Sequence, residues 1–368
     1  MDTNRYEILD APTQLDGFNT TLAWSNKVMN YQNHPAYRPL IVQASPMLRL
    51  KAFVQFVRSM APLAIKRLIA YEMIPLEIRS PKTFSEVMQL AKVAGRNALG
   101  LHPKMSKSKE SLVLSKLNSD GCCVVKMDDT SFDQIEDITT RFFDRLKNRR
   151  AATAKGDDRN FEESRSSVDS REDGTALFDE LNEVLHESGI IDAASRYLGR
   201  QARLIDVNPQ VNDSSDSFWR KIFPDMPDMN LPKSAYFHRD ASGGDLKAIF
   251  YMSDVGPKNG PFSYVLGSNQ MPVSRLDDLI GEANDHNGLS ATHLEARKRF
   301  AALPAKLRQK GAFGNDLEDD NALAQEIRKS VWEITAPKGS IVLFDTKGIH
   351  RGGMVVEGER YVVTTVIG

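Results

Sequence analysis

Two short stretches of the chain carry residue types that bind metal ions. His238 and Asp240 are separated by one residue, so in an extended strand both side chains lie on the same face. His350 comes far downstream, just after the strand-like run 340–345. Two imidazoles and one carboxylate are the ligand set of non-haem iron(II) centres, which leaves coordination sites open for a co-substrate and oxygen. The sequence therefore predicts a metal site made of His238, Asp240 and His350.

A basic residue, Arg360, opens the next strand-like run after His350, residues 360–367. An arginine at such a place can hold a dicarboxylate through two parallel hydrogen bonds. Each residue also has a simpler interpretation. His238 and Asp240 can form a salt bridge at a strand end, His350 can be a hydrogen-bonded core histidine, and Arg360 can pair with Asp345 or Glu359.

Length and composition exclude several classes of protein. The chain has 368 residues, with 41% hydrophobic and 26% charged residues, which is typical of a globular protein. A formal net charge of -1 gives no overall attraction to nucleic acid. Cys122 and Cys123 are the only cysteines, and neighbours in a strand face opposite ways, so we expect no disulfide and a reducing, cytoplasmic location. We expect neither a secretion signal nor a membrane-spanning helix.

The first part of the chain, residues 1–105, is predicted to be a mostly helical extension, with loop over 1–45. From Arg49 to Glu72, apolar residues recur at helical spacing among basic ones, and Pro62 is expected to break or kink this run. The pattern has two interpretations. It is a helical pair packed on the core with a solvated basic face, or residues 49–71 contact an anionic membrane surface or a partner.

The second part, residues 106–368, is predicted to be one domain. We expect a helix that begins at Ser80-Pro81 before it, then a helix over 108–118, a strand over 122–126 and a helix over 132–148 capped by Ser131. Residues 149–173 are highly charged and predicted to be mobile, either as a linker or as a flap over the site. Helices near 175–187 and 190–198 and a strand over 201–207 follow.

The C-terminal part has a β pattern that one insertion interrupts. Strands are predicted over 247–255, 262–266, 340–345 and 360–367. Residues 270–335 are predicted to be an insert of helix and polar loop, in which 294–307 has the clearest helical period.

Several short motifs between Leu112 and Gly368 resemble those of one family. Asp120-Gly121 before a strand, the His238-x-Asp240 pair, the Asn259-Gly260-Pro261 turn followed by Gly267-Ser268, and then His350 and Arg360 occur in the family's order. The His-x-Asp pair alone is a weak signal, whereas the ordered set is specific. In these motifs the chain resembles the phytanoyl-CoA dioxygenase-like branch of the Fe(II)/2-oxoglutarate-dependent oxygenases. Residues 1–105 and 270–335 have no match to it.

The resemblance implies an α+β fold with a double-stranded β-helix core, jelly-roll and cupin-like, buttressed by the N-terminal helices. It implies that His238, Asp240 and His350 bind Fe(II), that Arg360 binds 2-oxoglutarate, and that O2 is the oxidant. Two positions depart from the family. Asn269 stands where members often have histidine, and Gly352 where they often have a serine or threonine that contacts 2-oxoglutarate. Arg203 and Lys247 are candidates for that missing contact.

The resemblance also implies a reaction. Because halogenating members replace the carboxylate, Asp240 favours hydroxylation of a C–H bond with release of succinate and CO2; desaturation, ring closure and epimerisation are alternatives. We expect a small-molecule substrate of natural-product or glycan type that meets the insert and the 149–173 segment. A lipid-linked substrate at a membrane surface is the second choice. A non-catalytic cupin-like binding protein and a zinc hydrolase are further alternatives.

The remaining aromatic and imidazole side chains carry no comparable pattern. Trp219 and Trp332 are interpreted as packing residues or as part of a pocket. The other histidines lack partners at ligand spacing and are interpreted as surface or structural residues: His34, His102, His186, His286 and His293.

Overall fold

A computed structural model gives the fold for part of the chain. It describes residues 6–12, 15, 37–69, 74, 79–99, 111–153, 175–214, 239–240, 245–271, 274, 276, 279–280, 283, 294–308, 329–353 and 355–368. His238, Trp219 and most of the predicted 149–173 segment lie outside these residues.

The larger of two sheets has the strand order β1-β2-β7-β4-β9-β3, and all its neighbouring strands are antiparallel. Its strands are β1 (Tyr6–Leu9), β2 (Cys122–Met127), β3 (Leu204–Asp213), β4 (Leu246–Tyr251), β7 (Ser340–Asp345) and β9 (Glu359–Ile367). The central strands are rich in β-branched and aromatic residues, which fit a pleated surface that is buried on both faces.

The smaller sheet has the order β6-β5-β8 and is also antiparallel. Its strands are β5 (Phe262–Val265), β6 (Val331–Ile334) and β8 (His350–Arg351). From β4 onward the chain passes repeatedly between the sheets, with β4, β7 and β9 in the larger and the strands between them in the smaller. This alternation stacks the two sheets.

Alternate residues of the larger sheet face two different cores, as the two-residue period of a strand requires. Val124, Val342 and Val362 point towards the smaller sheet and pack with its Phe262 and Tyr264. Their neighbours in sequence point the other way, into a second core under the helices. The space between the sheets is therefore lined by inward side chains of both.

Helices cover the outer face of the larger sheet. These are α4 (Leu112–Ser119), α5 (Asp129–Thr153), α6 (Thr175–Glu187) and α7 (Ile190–Leu198). Their apolar faces share one core with strands of the larger sheet, which includes Leu117, Ile135 and Leu181. The described residues thus show a mixed fold of helices and antiparallel sheets.

A third core joins the N-terminal helices to the predicted insert. The N-terminal helices in it are α1 (Arg38–Gln43) and α2 (Pro46–Leu68), and the insert contributes α8 (Leu294–Ala301) and α9 (Ala305–Arg308). A further N-terminal helix, α3 (Phe84–Ala98), lies outside this cluster. Tyr37 and Phe56 pack in one buried cluster with Phe300, and the rings of Tyr37 and Phe300 meet edge to face with centroids 5.6 Å apart. No helix in the described part of the chain is long and apolar enough to cross a membrane.

Pro62 does not break its helix, although a break or a kink was expected there. α2 runs unbroken from Pro46 to Leu68. Proline removes one N–H of the helix ladder, which would have bonded the carbonyl of Arg58. Both residues lie on the exposed side, where water can satisfy that carbonyl. A single long helix therefore replaces the expected pair.

The predicted starting residues of two helices were also wrong. α3 begins after Thr83 rather than at Ser80-Pro81, because the Thr83 hydroxyl accepts from the N–H of Glu86 and the Glu86 carboxylate accepts from the N–H of Thr83. α5 begins at Asp129 because the Asp128 carboxylate, not Ser131, caps it, accepting from the N–H of Ser131 at 2.7 Å.

Some expected strand and loop boundaries were wrong as well. Strand β1 and helix α1 lie in the expected loop over 1–45, and β6 lies inside the expected insert over 270–335. The strand expected over 247–255 ends at Tyr251, and beyond it Val255 makes only an isolated bridge to Ala336. The strand expected over 201–207 is β3, which starts and ends later. Tertiary pairing decided these boundaries.

The turn 256–261 packs directly on Gly353, which gives a test of the fold. A Cβ at Gly353 would collide with the backbone carbonyls of Gly260 and Pro261, whereas a Cβ at Gly95 in α3 would meet nothing within 4 Å. We expect Gly353→Ala to destabilise the protein by about 1–3 kcal/mol and Gly95→Ala to stabilise it by about 0.5–1 kcal/mol. Urea denaturation of both variants measures this. Equal stabilities would contradict the described packing.

Candidate metal and co-substrate site

The turn between β7 and β8 is fixed by several hydrogen bonds. Gly348 N–H donates to the carbonyl of Asp345 at 3.0 Å, and Lys347 N–H donates to the Asp345 carboxylate at 2.9 Å. The hydroxyl of Tyr264 donates to the same Asp345 carbonyl at 3.1 Å. A Cβ on Gly348 would collide with that Tyr264 ring, so the turn requires glycine there. The turn delivers the chain into β8 at His350.

His350 is buried in an aromatic pocket between the sheets. Its ring centroid lies 5.0 Å from that of Phe344, 5.7 Å from that of Phe262 and 6.5 Å from that of Tyr264, against which it stacks. Its Nδ1 is 2.9 Å from the carbonyl oxygen of Gly348. A carbonyl only accepts, so Nδ1 carries the proton and Nε2 presents its lone pair. Nε2 is therefore free to accept a metal ion, in the way that a histidine ligand does when an outer hydrogen bond holds its other nitrogen.

Burial also sets the charge of His350. It lowers the pKa of the imidazole below its usual value, and the neighbouring Asp240 carboxylate opposes this shift. At neutral pH the ring is therefore uncharged. A neutral imidazole is the form that binds metal ions.

Asp240 is held next to His350 by the same turn. Its backbone N–H donates to the carbonyl of Thr346 at 2.9 Å. One carboxylate oxygen, Oδ1, lies 3.8 Å from Nε2 of His350, and the other, Oδ2, lies 2.5 Å from Nζ of Lys247. The structure thus brings together two of the three predicted ligands, although they are far apart in sequence.

Asp240 and His350 lie within reach of one shared metal ion. Two donors that each bind an ion at about 2.1 Å are at most about 4.2 Å apart, and the observed 3.8 Å lies within this limit. No group of three or more metal-binding side chains occurs among the described residues, since His238, the third predicted ligand, is outside them. The donor set that is described contains one carboxylate oxygen and one imidazole nitrogen, both suited to iron(II).

Lys247 lies beside this pair on the inner face of the larger sheet. It shares that face with Tyr251 by strand alternation, and Tyr251 packs in the core between the sheets. Its ammonium group adds a positive charge next to Asp240. Arg203, the other candidate for a co-substrate contact, is exposed at the position before β3 and is not part of the inner face beside Asp240.

Arg360 also belongs to the inner face. It alternates with Tyr361 on β9 and so faces the same way as Val362, which packs between the sheets. Burial lowers the pKa of its guanidinium to about 10, and nearby Tyr251 opposes this, so it stays charged at neutral pH. The alternative partners are engaged elsewhere: Glu359 lies 2.8 Å from Lys147, and Asp345 accepts from the hydroxyl of Tyr197 at 2.5 Å.

The remaining predicted residues lie around the site or away from it. The side-chain amide of Asn269 donates to Tyr197 at 3.0 Å and to the carbonyl of Leu117 at 3.1 Å, so it supports the turn through Asp345. Trp332 is buried in the core between the sheets, and His186 is exposed on α6. The other histidines that were interpreted as structural, His34, His102, His286 and His293, lie outside the described residues.

Sequence reasoning missed the residues that position the ligands. Thr346 holds Asp240 through its backbone carbonyl, and Tyr264 fixes the turn before His350. A backbone carbonyl leaves no signal in residue type. The aromatic pocket did leave a signal in the sequence, because Phe262, Tyr264 and Phe344 occur in runs that were predicted to be strands.

Comparisons with known proteins give remote structural similarities alone. No protein-family model and no curated protein matches the chain, so the resemblance to the phytanoyl-CoA dioxygenase-like family stays a prediction. The solved structures that resemble it include AviO1 from Streptomyces viridochromogenes Tue57, with 14% identity, 72% of this chain and 96% of that chain covered, and a TM-score of 0.40.

Two further similar structures were crystallised with co-substrates. EctD from S. alaskensis with 2-oxoglutarate and 5-hydroxyectoine is 12% identical to this chain, with a TM-score of 0.43. The match covers 73% of this chain and 79% of the EctD chain. The epimerase SnoN with Fe3+, alpha ketoglutarate and nogalamycin RO has 11% identity, 69% and 81% coverage, and a TM-score of 0.37. These scores are too low to carry an argument about the chemistry of this chain.

Proposed function

We propose that the protein is a non-haem Fe(II)- and 2-oxoglutarate-dependent dioxygenase. The observation that carries this proposal is the convergence of Asp240 and His350, whose ligand atoms lie 3.8 Å apart, with His350 buried and Asp240 partly buried. His238, two positions before Asp240, supplies the third ligand of the facial set. Iron(II) bound there supplies the oxidative decarboxylation of 2-oxoglutarate by O2, coupled to oxidation of a substrate C–H bond.

The proposed fold is a double-stranded β-helix. Its strands are β3 to β9, which are divided between the two stacked sheets. In such a core the space between the sheets holds the ligand. The strand order of the described residues supports this arrangement, because the inner faces of β4, β8 and β9 carry Lys247, His350 and Arg360.

The residues of the chain have separate roles in this proposal. His350 and Asp240 bind the metal, and the Gly348 carbonyl keeps the imidazole in the required tautomer. Arg360 holds the distal carboxylate of 2-oxoglutarate, and Lys247 adds a positive charge at the end near the metal. Tyr251 lies near Arg360 and marks its place in the site. Along β4, Tyr251 and Lys247 are about 13 Å apart. An arginine side chain and a short dicarboxylate can together bridge that distance.

The reaction that we propose is hydroxylation of a small molecule of natural-product or glycan type, with release of succinate and CO2. The carboxylate of Asp240 favours this outcome, because it fills the coordination position that a halogenating enzyme leaves to a halide. The aromatic rings around His350 exclude water from that side of the site. The insert and the segment over 149–173 are proposed to contact the substrate, and a cytoplasmic location stays a prediction.

Metal-dependent binding of 2-oxoglutarate tests the proposal without a known substrate. Titration calorimetry under anaerobic conditions is expected to show that Mn(II) or Fe(II) binds the protein and that 2-oxoglutarate binds the metal-loaded form. Loss of an outer partner of a ligand typically weakens metal binding 10–100-fold, so Asp240→Ala and His350→Ala should each weaken it by more than about a hundredfold. Succinate release with O2 should disappear in both variants.

Matched controls remove the same groups from the surface. Asp192→Ala on α7 and His186→Ala on α6 should bind the metal and 2-oxoglutarate as the wild type does. Metal binding that survives in Asp240→Ala would reject the site. Binding of both ligands with no succinate across a broad substrate panel would favour the non-catalytic binding protein, and a site active with zinc but indifferent to 2-oxoglutarate would favour the hydrolase.

The role of Arg360 gives a separate prediction. Lysine keeps the positive charge but cannot form two parallel hydrogen bonds with a carboxylate. Arg360→Lys should therefore raise the dissociation constant of 2-oxoglutarate by about tenfold or more and leave metal affinity unchanged. Calorimetry with metal-loaded protein measures both. Arg203→Lys, at the exposed start of the sheet, is the control, and an equal change in the two variants would remove Arg360 from the co-substrate site.

A further inference from the structure

Helix α2 has two apolar faces, and the described part of the chain covers only one of them. Ala52, Phe56 and Leu63 point into the core that the N-terminal helices share with α8. At 3.6 residues per turn, a second set of apolar positions lies about 150° around the helix. We call this set the outer stripe of α2; its members are Met47, Leu50, Val54, Val57, Ala61, Ala64 and Leu68.

The outer stripe is exposed along its whole length. Its members recur at intervals of three and four residues, so they form one continuous row. The larger ones retain much of their surface, with 62% for Met47, 59% for Leu50, 47% for Val57 and 69% for Leu68. Phe53 and Ile65, beside the row, are 45% and 59% exposed. A contiguous apolar surface of this kind usually marks an interaction site.

The charge on the same helix is of one sign. Its basic residues are Arg49, Lys51, Arg58, Lys66 and Arg67, and it contains no acidic residue. Lys51 and Arg58 are exposed and follow the border of the outer stripe on one side. Long basic side chains in this position can extend past apolar neighbours to reach negative groups. An apolar row bordered by cations is typical of helices that lie in the surface of an anionic membrane.

We propose that the outer stripe of α2 binds the surface of a membrane that contains anionic lipid. The apolar side chains enter the boundary between headgroups and acyl chains, and Lys51 and Arg58 contact lipid phosphates. The helix lies in the plane of the surface and does not cross it, since no described helix has the length and hydropathy of a membrane span. This inference concerns a surface remote in sequence from Asp240 and His350 and does not depend on the proposed activity.

The basic charge favours a lipid surface over a second copy of the chain. Two α2 helices packed along their outer stripes would bring together side chains of one sign, with no acidic residue in either helix to pair with them. Repulsion between these like charges would oppose the association of two α2 helices. An anionic lipid surface offers a negative group to each cation, and each basic residue near such a surface strengthens binding about fivefold.

Vesicle flotation of the full-length protein tests this. We expect binding to vesicles of equal parts phosphatidylcholine and phosphatidylglycerol, weak binding to phosphatidylcholine alone, and release as the salt rises from about 0.1 M to about 1 M. The double variant Leu50→Asp/Val57→Asp should bind at least about tenfold more weakly. Lys51→Glu/Arg58→Glu should lose about 25-fold or more.

Leu112→Asp is the matched control. Leu112 is 60% exposed at the start of α4, where an acidic residue is favourable at the helix N-terminus. This substitution should leave vesicle binding unchanged. All substitutions are at exposed positions, and circular dichroism verifies that each variant folds. The proposal is overturned if the wild type does not float with anionic vesicles or if the stripe variants float as it does. A dimer that Leu50→Asp/Val57→Asp dissociates, with no lipid binding, would instead assign the stripe to a second copy.

Discussion

A single turn, from Asp345 to Gly348, holds both described members of the candidate site. The carbonyl of Thr346 accepts from the backbone of Asp240, and the carbonyl of Gly348 accepts from the ring of His350. One loop thus fixes a carboxylate and an imidazole that come from distant parts of the chain. The surrounding architecture keeps this turn in place, through the larger sheet on one side and the hydroxyl of Tyr264 on the other.

The electrostatics of the site follow from its burial. Removal from water keeps the His350 imidazole neutral, whereas Arg360 and Lys247 place positive charge on the inner face of the larger sheet. A neutral ligand atom and a carboxylate suit a divalent cation, and the basic groups suit an anion beside it. The same low-polarity interior that costs free energy at each charged group strengthens its attraction to a bound partner of opposite charge.

Much of this could be predicted from the sequence, because period and residue type are local. The strands near 262–266, 340–345 and 360–367 and the helices near 175–198 followed from residue spacing. The closeness of Asp240 and His350 was expected from the order of the motifs, which is what the resemblance implies. The helix through Pro62 and the strand β6 inside the insert could not be predicted, since exposure to water and pairing with β5 decided them. The contacts of Asp240 and His350 with backbone carbonyls were equally hidden, because every residue carries a carbonyl.

The shared core of the N-terminal helices and the insert has a consequence for how the molecule is assembled. Phe56 from α2 and Phe300 from α8 are buried in the same cluster, although strands β2 to β5 separate them in sequence. This part of the interior can close only after synthesis has passed residue 300. Until then Phe56 and Leu63 have no partner from the insert, so α2 in the nascent chain exposes apolar side chains on both faces. Such a helix is expected to bind a chaperone or a nearby surface during folding.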